Sequence, residues 1–155
     1  MRHGRLVLQR GPFTQAWCQP LPQCTPSMIT FNPEPMSGFI DLFIIGDGEE
    51  AVDYLQQRGR YAHPDSAPRP DLILLDLNLP GKSGLEVLQV IKQAAELKSI
   101  PVVVLTTSDR DEDVNRCYLH GTNSYLTKPV QFDDCLKLVG DIQQYWLHIS
   151  KLPPR

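Results

Sequence analysis

Three side chains stand at the ends of apolar runs where they could act together. Asp76 closes Asp71-Leu-Ile-Leu-Leu-Asp76, Thr106 closes Ile100–Thr106 and opens Thr106-Thr107-Ser108, and Lys128 follows Asn123–Thr127 in the pair Lys128-Pro129. A carboxylate, a hydroxyl and an ammonium that converge can handle a small anion. The carboxylate would be the nucleophile toward a phosphoryl group, and the hydroxyl and ammonium would offset charge on its oxygens in a loose transition state. Each residue alone is weak evidence, because a strand-end Asp often caps a turn, a Thr suits a sheet and Lys-Pro is common in loops. Their occurrence in order on three successive strands is the selective feature.

The elements that must position them follow from periodicity. Strands are predicted over Asp41–Ile45, Asp71–Leu77, Ile100–Thr106 and Asn123–Thr127. Leu72 to Leu75 and Val102 to Leu105 are apolar at every position, as in parallel strands covered on both faces. Helices fit the gaps. Asp47 with Glu50, Ser83 with Glu86, and Ser108 with Asp111 have capping-box spacing, and Gly59 and Gly121 stand where helices should stop. A last helix from about Phe132 carries Phe132, Leu136, Val139, Ile142, Trp146 and Ile149 on one face. This alternation predicts a doubly wound α/β sheet, in which reactive groups gather at the carboxyl ends of the strands.

The motifs Leu-Leu-Asp76-Leu-Asn-Leu-Pro80-x-x-x-Gly84, Val-Val-Leu-Thr106-Thr107-Ser108 and Tyr125-Leu-Thr-Lys128-Pro129, with their spacings, resemble the receiver domains of two-component response regulators over about residues 39–150. Gly-x-Tyr61 before Arg69-Pro70-Asp71, and Ile142-Gln-Gln-Tyr-Trp146-Leu147 before Leu152-Pro153, are similar to the small stand-alone regulators associated with bacterial phytochrome kinases. The resemblance implies a flavodoxin-like receiver fold. It also implies that Asp76 accepts phosphate from a sensor histidine kinase of phytochrome type, that Thr106 bonds the phosphoryl group, and that Lys128 binds one of its oxygens. Tyr125 would move inward as Thr106 is drawn to the phosphate, altering the face made by the family's fourth helix, fifth strand and fifth helix. Mg²⁺ would be held by Asp76, by the backbone carbonyl of Asn78 and by an acidic pair after the first strand. Lys128-Pro129 resembles the family's cis peptide, which would aim the lysine.

One part of the pattern fails. No acidic pair follows an apolar strand near the start: Leu6-Val7-Leu8 is followed by Gln9 and Arg10, and Glu34, between Pro33 and Pro35, is the only acid before Phe39. Residues 1–38 hold six of the fourteen prolines and read as an irregular leader in which only Arg5–Gln9 and Met28–Phe31 have strand character. The expected division is therefore a leader at 1–38, a receiver domain at 39–150 and a tail at 151–155, with the first strand and helix atypical or missing. The abrupt change at Gly38 suits a leader translated in the wrong frame or from the wrong start. Weak Mg²⁺ binding and slow phosphorylation follow as expectations.

The remaining features narrow the function. A chain of 155 residues allows one ordinary domain, and its net charge of −3 gives no reason to expect nucleic acid. The apolar runs are too short for a bilayer span. Cys18, Cys24, Cys117 and Cys135 have neither zinc nor disulfide spacing, and a cytoplasmic protein is expected. Gly46-x-Gly48-x-x-Ala51 fits a dinucleotide fingerprint, yet Asp47, Glu49 and Glu50 would set carboxylates against a pyrophosphate. Asp109, Asp111, Glu112 and Asp113 read as helix-start acids rather than a metal cluster. Tyr145 and Trp146 are candidates for self-association. The expected function is a single-domain response regulator in a phosphorelay, a phospho-acceptor with at most auto-phosphatase activity and otherwise no enzyme. The alternative is a pseudo-receiver that binds protein partners without phosphorylation.

Overall fold

Apolar runs flanked by turn residues become strands, and the amphipathic segments between them become helices, in a computed structural model that describes residues 4–9, 27–33 and 39–154. In chain order the strands and helices are β1 (Gly4–Gln9), β2 (Met28–Pro33), β3 (Phe39–Ile45), α1 (Gly48–Leu55), β4 (Leu72–Leu75), α2 (Gly84–Gln93), β5 (Val102–Thr106), α3 (Asp111–Leu119), β6 (Ser124–Thr127) and α4 (Phe132–Gln143). They build one sheet in the order β1-β3-β2-β4-β5-β6. β4, β5 and β6 pair in parallel. β2 is antiparallel to both β3 and β4, so β3 runs with β4, and β1 is antiparallel to β3.

The central slot between β3 and β4 is thus filled by the leader, but by a strand running backwards. Chain length gives the reason. Five residues, 34–38, separate β2 from β3, whereas a parallel return needs a crossover of about a dozen residues or more. A connection that short permits only a hairpin-like reversal. The sheet is therefore mixed rather than wholly parallel, and the first strand is atypical rather than missing. Both leader segments with strand character form strands. Glu34, Cys18, Cys24 and the proline-rich stretch between β1 and β2 lie outside the described residues.

Alternate side chains divide between two cores, the period-2 signature of a sheet covered on both faces. Ile73, Leu75, Val102 and Val104 join Val87, Leu88 and Ile91 of α2 and Ala51, Val52, Tyr54 and Leu55 of α1. Leu72, Leu74, Val103 and Leu105 face the other way with Phe31 and Ile142, against which Leu138, Trp146 and Leu147 pack. No helix among the described residues is long and apolar enough to cross a membrane.

Helix ends follow their local chemistry with three departures. Asp47 caps α1 through Oδ1, which accepts from the Glu49 and Glu50 N–H groups at 2.9 and 3.1 Å, and Ser83 with Glu86 completes a capping box on α2. Ser108 does not cap α3, which starts after Arg110. Its hydroxyl instead donates to Asp113 at 2.6 Å. α1 stops before Gly59, with Gln57 at φ +51° taking the left-handed position, while Gly121 at φ +88° ends α3 as expected. Beyond α4 the chain widens into a π-helical stretch, Gln144–Ile149. That wider turn breaks the three-and-four stepping of an α-helix, so Ile149 is exposed and Leu147 packs inward instead.

Candidate functional site

β4 delivers Asp76 to the carboxyl edge of the sheet. Four fully buried residues precede it, and its N–H donates to the Ser27 carbonyl at 3.1 Å, extending the β2–β4 pairing by one step. The turn after it is tight. The Gly84 N–H donates to the Leu77 carbonyl at 2.9 Å, and a Cβ on Gly84 would lie 2.0 Å from the Asp76 carbonyl oxygen. Only glycine lets α2 begin this close to the strand end. Gly48 makes the same kind of approach to Lys82 and donates its N–H to the Pro80 carbonyl at 2.8 Å, which ties the start of α1 to the same loop.

Lys128 and Thr106 meet Asp76 from the neighbouring strands. The Lys128 N–H donates to the Thr106 carbonyl at 2.7 Å, holding the β6 end against the β5 end. Its Nζ donates to Asp76 Oδ2 at 2.5 Å, with the lysine and aspartate side chains only 10% and 4% exposed. The other oxygen, Oδ1, accepts the Asn78 N–H at 3.0 Å. Thr106 is fully buried, and its Oγ1 lies 3.4 Å from Asn78 Nδ2 and 3.5 Å from the Ser108 N–H. Two of the groups singled out from the sequence, Asp76 and Lys128, therefore meet through a short charge-assisted bond, and the Thr106 hydroxyl stands against the carboxamide of Asn78, whose N–H bonds the same carboxylate. The expected cis peptide is not present: there is none among the described residues, and Lys128-Pro129 is trans. Trans is the favoured isomer, and the lysine reaches Asp76 from it.

Tyr125 sits one step away. Its ring packs against the larger core, its hydroxyl donates to the Ser108 carbonyl at 2.9 Å, and burial pushes the phenol above its usual range. Ser108 is thus a hub that touches Thr106 through its N–H, Tyr125 through its carbonyl and Asp113 of α3 through its hydroxyl. Sequence reasoning missed this role. It also missed the Asn78 carboxamide, which donates at 3.4 Å to both Thr106 and Thr107. The usable signal was position: both residues lie two places beyond a strand-end site residue, where short polar side chains turn back onto their surroundings.

A divalent cation does not fit the donors in place. Mg²⁺ asks for octahedral oxygen ligands including one or two carboxylates. Asp76 has both oxygens engaged, one of them by an ammonium, and no group of three His, Cys, Asp or Glu side chains among the described residues could hold a metal. The Asn78 carbonyl is the one further donor the sequence suggested. At the dinucleotide-like turn, the Asp47 carboxylate occupies the start of α1, where a pyrophosphate would otherwise bind.

The family model for the response regulator receiver domain matches residues 34–140. Response regulator Rcp1 of the cyanobacterium Synechocystis sp. is 50% identical over 113 residues, covering 73% of this chain and 75% of that protein. The crystal structure of the phosphorylated cyanobacterial phytochrome response regulator RcpA aligns with a TM-score of 0.68 at 47% identity, covering 71% of this chain and 76% of the other. The Mn²⁺-bound form of Rcp1 aligns at 0.67 and 50% identity, covering 71% and 77%.

Proposed function

This chain belongs to the response regulator receiver domain family, and on that premise we propose that Asp76 is its phospho-acceptor. The observation that carries the reading is the meeting of Lys128 Nζ with Asp76 Oδ2, with the buried Thr106 hydroxyl 3.4 Å from the carboxamide of Asn78, whose N–H bonds the same carboxylate. In the transfer, an Asp76 oxygen forms a P–O bond as the P–N bond of a kinase phosphohistidine breaks, and the released imidazole takes a proton from solvent. Lys128 shifts from the carboxylate to an incoming phosphoryl oxygen, and the Thr106 hydroxyl donates to a second. These roles are electrostatic and positional, so the domain is a phosphorelay component with at most auto-phosphatase activity.

The output reading rests on Ser108. Drawing Thr106 toward a phosphoryl group disturbs the Ser108 N–H that faces it, and with it the bonds to Tyr125 and Asp113. Tyr125 then turns inward, and the surface of α3, β6 and α4 changes. Protein contacts on that surface carry the signal in a cytoplasmic setting, without nucleic acid or membrane. Tyr145, half exposed, and Trp146 adjoin it with their rings edge-to-face at 5.3 Å and supply anchors for self-association. The donor is a sensor histidine kinase of phytochrome type, a reading supported by the likeness to RcpA, a phytochrome response regulator.

Incubation with an autophosphorylated phytochrome-type histidine kinase tests the reading. Label should pass to the wild type and not to Asp76→Asn. A second reading, a pseudo-receiver that binds partners without phosphate, is favoured by the incomplete cation donor set. It predicts equal partner binding by wild type and Asp76→Asn, with no label on either.

A further inference from the structure

The direction of β2 decides which residues come to Asp76. Met28 pairs with Leu75 and Phe31 with Leu72, and the Asp76 N–H reaches the carbonyl of Ser27. The beginning of β2 therefore lies at the site, and its end at Pro33 pairs with Ile40 at the opposite edge of the sheet. Residues 1–33 contain no Asp or Glu. Whatever course the chain takes into Met28, it brings no carboxylate with it. Asp47, the acid of the next strand–helix junction, has its Oδ1 on the N–H groups of Glu49 and Glu50.

From this we infer that Lys128, and not a divalent cation, is the resident counter-ion of Asp76 in this chain, and that the reversed β2 strand is the cause. Two unit charges in a nearly dry setting attract strongly at 2.5 Å, and the ammonium adds a like charge against any approaching dication. A cation would also have to strip one or both existing donors from Asp76. The inference concerns the unphosphorylated centre and rests on Asp76 being that centre. Cation binding is measured without phosphate, so its outcome stays separate from the phosphorylation test.

Mn²⁺ titration of the full chain, followed by the loss of the free-ion electron paramagnetic resonance signal, tests it. The comparison set is wild type, Asp76→Asn, and a chimera in which residues 1–38 give way to an apolar strand ending in Glu-Asp and a helix long enough for a parallel crossover. Wild type and Asp76→Asn should bind alike and weakly. The chimera should bind at least roughly tenfold more tightly, because affinity at such sites follows the number of charged ligands. Binding by wild type that Asp76→Asn abolishes would overturn the inference. So would a folded chimera that gains nothing over the wild type.

Discussion

Ser27 and Asp76 are joined by a backbone hydrogen bond of 3.1 Å that makes the first residue of the β2 pairing a neighbour of Asp76. The sheet accepts a strand in either direction, since antiparallel and parallel ladders both satisfy the backbone of β4. Strand direction is invisible to hydrophobic burial, because Met28, Thr30 and Phe31 are buried all the same. It matters greatly for chemistry, because it sets which end of the strand meets the site.

Removing the ammonium should be costly. Lys128→Ala leaves the Asp76 carboxylate buried without its cation, and unfolding in urea should show a loss on the order of 3 kcal/mol. Asp76→Asn combined with Lys128→Met removes both charges and should recover part of that loss. A double variant that is less stable than Lys128→Ala contradicts a coupled pair.

Gly84 should be hard to replace. Its added Cβ would lie 2.0 Å from the Asp76 carbonyl oxygen, a backbone atom that cannot move without moving the strand end. Gly84→Ala should lose about 1–3 kcal/mol by overpacking and slow phosphate uptake. Gly59→Ala, at φ +58° with open space around it, should cost about 1 kcal/mol and leave uptake unchanged. Equal effects of the two substitutions on uptake would argue against the packing account.

Alkaline pH should destabilise the fold through Cys117. Burial raises this thiol from 9.0 to about 11, so the unfolded chain ionises first. The contribution is whole below about pH 9 and lost as pH rises to about 11, an amplitude on the order of 2–3 kcal/mol. Tyr61 and Tyr125, also raised by burial, add to the decline above pH 10. Lys92, lowered by burial, works against it below 10.5. Unfolding free energies across about pH 8 to 11 should fall, and more gently in Cys117→Ala. An unchanged slope in that variant rules the thiol out.

Self-association should depend on the C-terminal aromatics. Tyr145 is 54% exposed beside Trp146, and large aromatics at such positions anchor protein contacts. Sedimentation should show a concentration-dependent dimer for the wild type that weakens at least roughly tenfold in Tyr145→Ala. A wild type that remains monomeric at high concentration removes the proposal.

Much of this was legible in the residues. Both-face apolar runs marked β4 and β5, and the spacing of Asp76 and Lys128 marked two side chains that pair at neighbouring strand ends. The reversal of β2 was less visible. A strand's residues carry no arrow, and the direction follows only from the short link to β3. The hub at Ser108 was hidden because its spacing to Asp111 imitates a capping box, while the hydroxyl prefers Asp113 one residue pair further on. The turn of Ile149 out to solvent was hidden because π-helical spacing leaves no mark in an otherwise α-periodic face.

Asp76 should take up phosphate with the help of Lys128 and Thr106. The most direct measurement is acid-labile phosphate on the chain after exposure to a small acyl-phosphate donor, in wild type, Asp76→Asn, Lys128→Ala and Thr106→Ala. Wild type should carry the label, Asp76→Asn none, and the other two should gain it more slowly by a factor of roughly a hundred, the scale of losing one oxyanion-directed donor. Label that persists in Asp76→Asn, or a wild type that takes up none, contradicts the account.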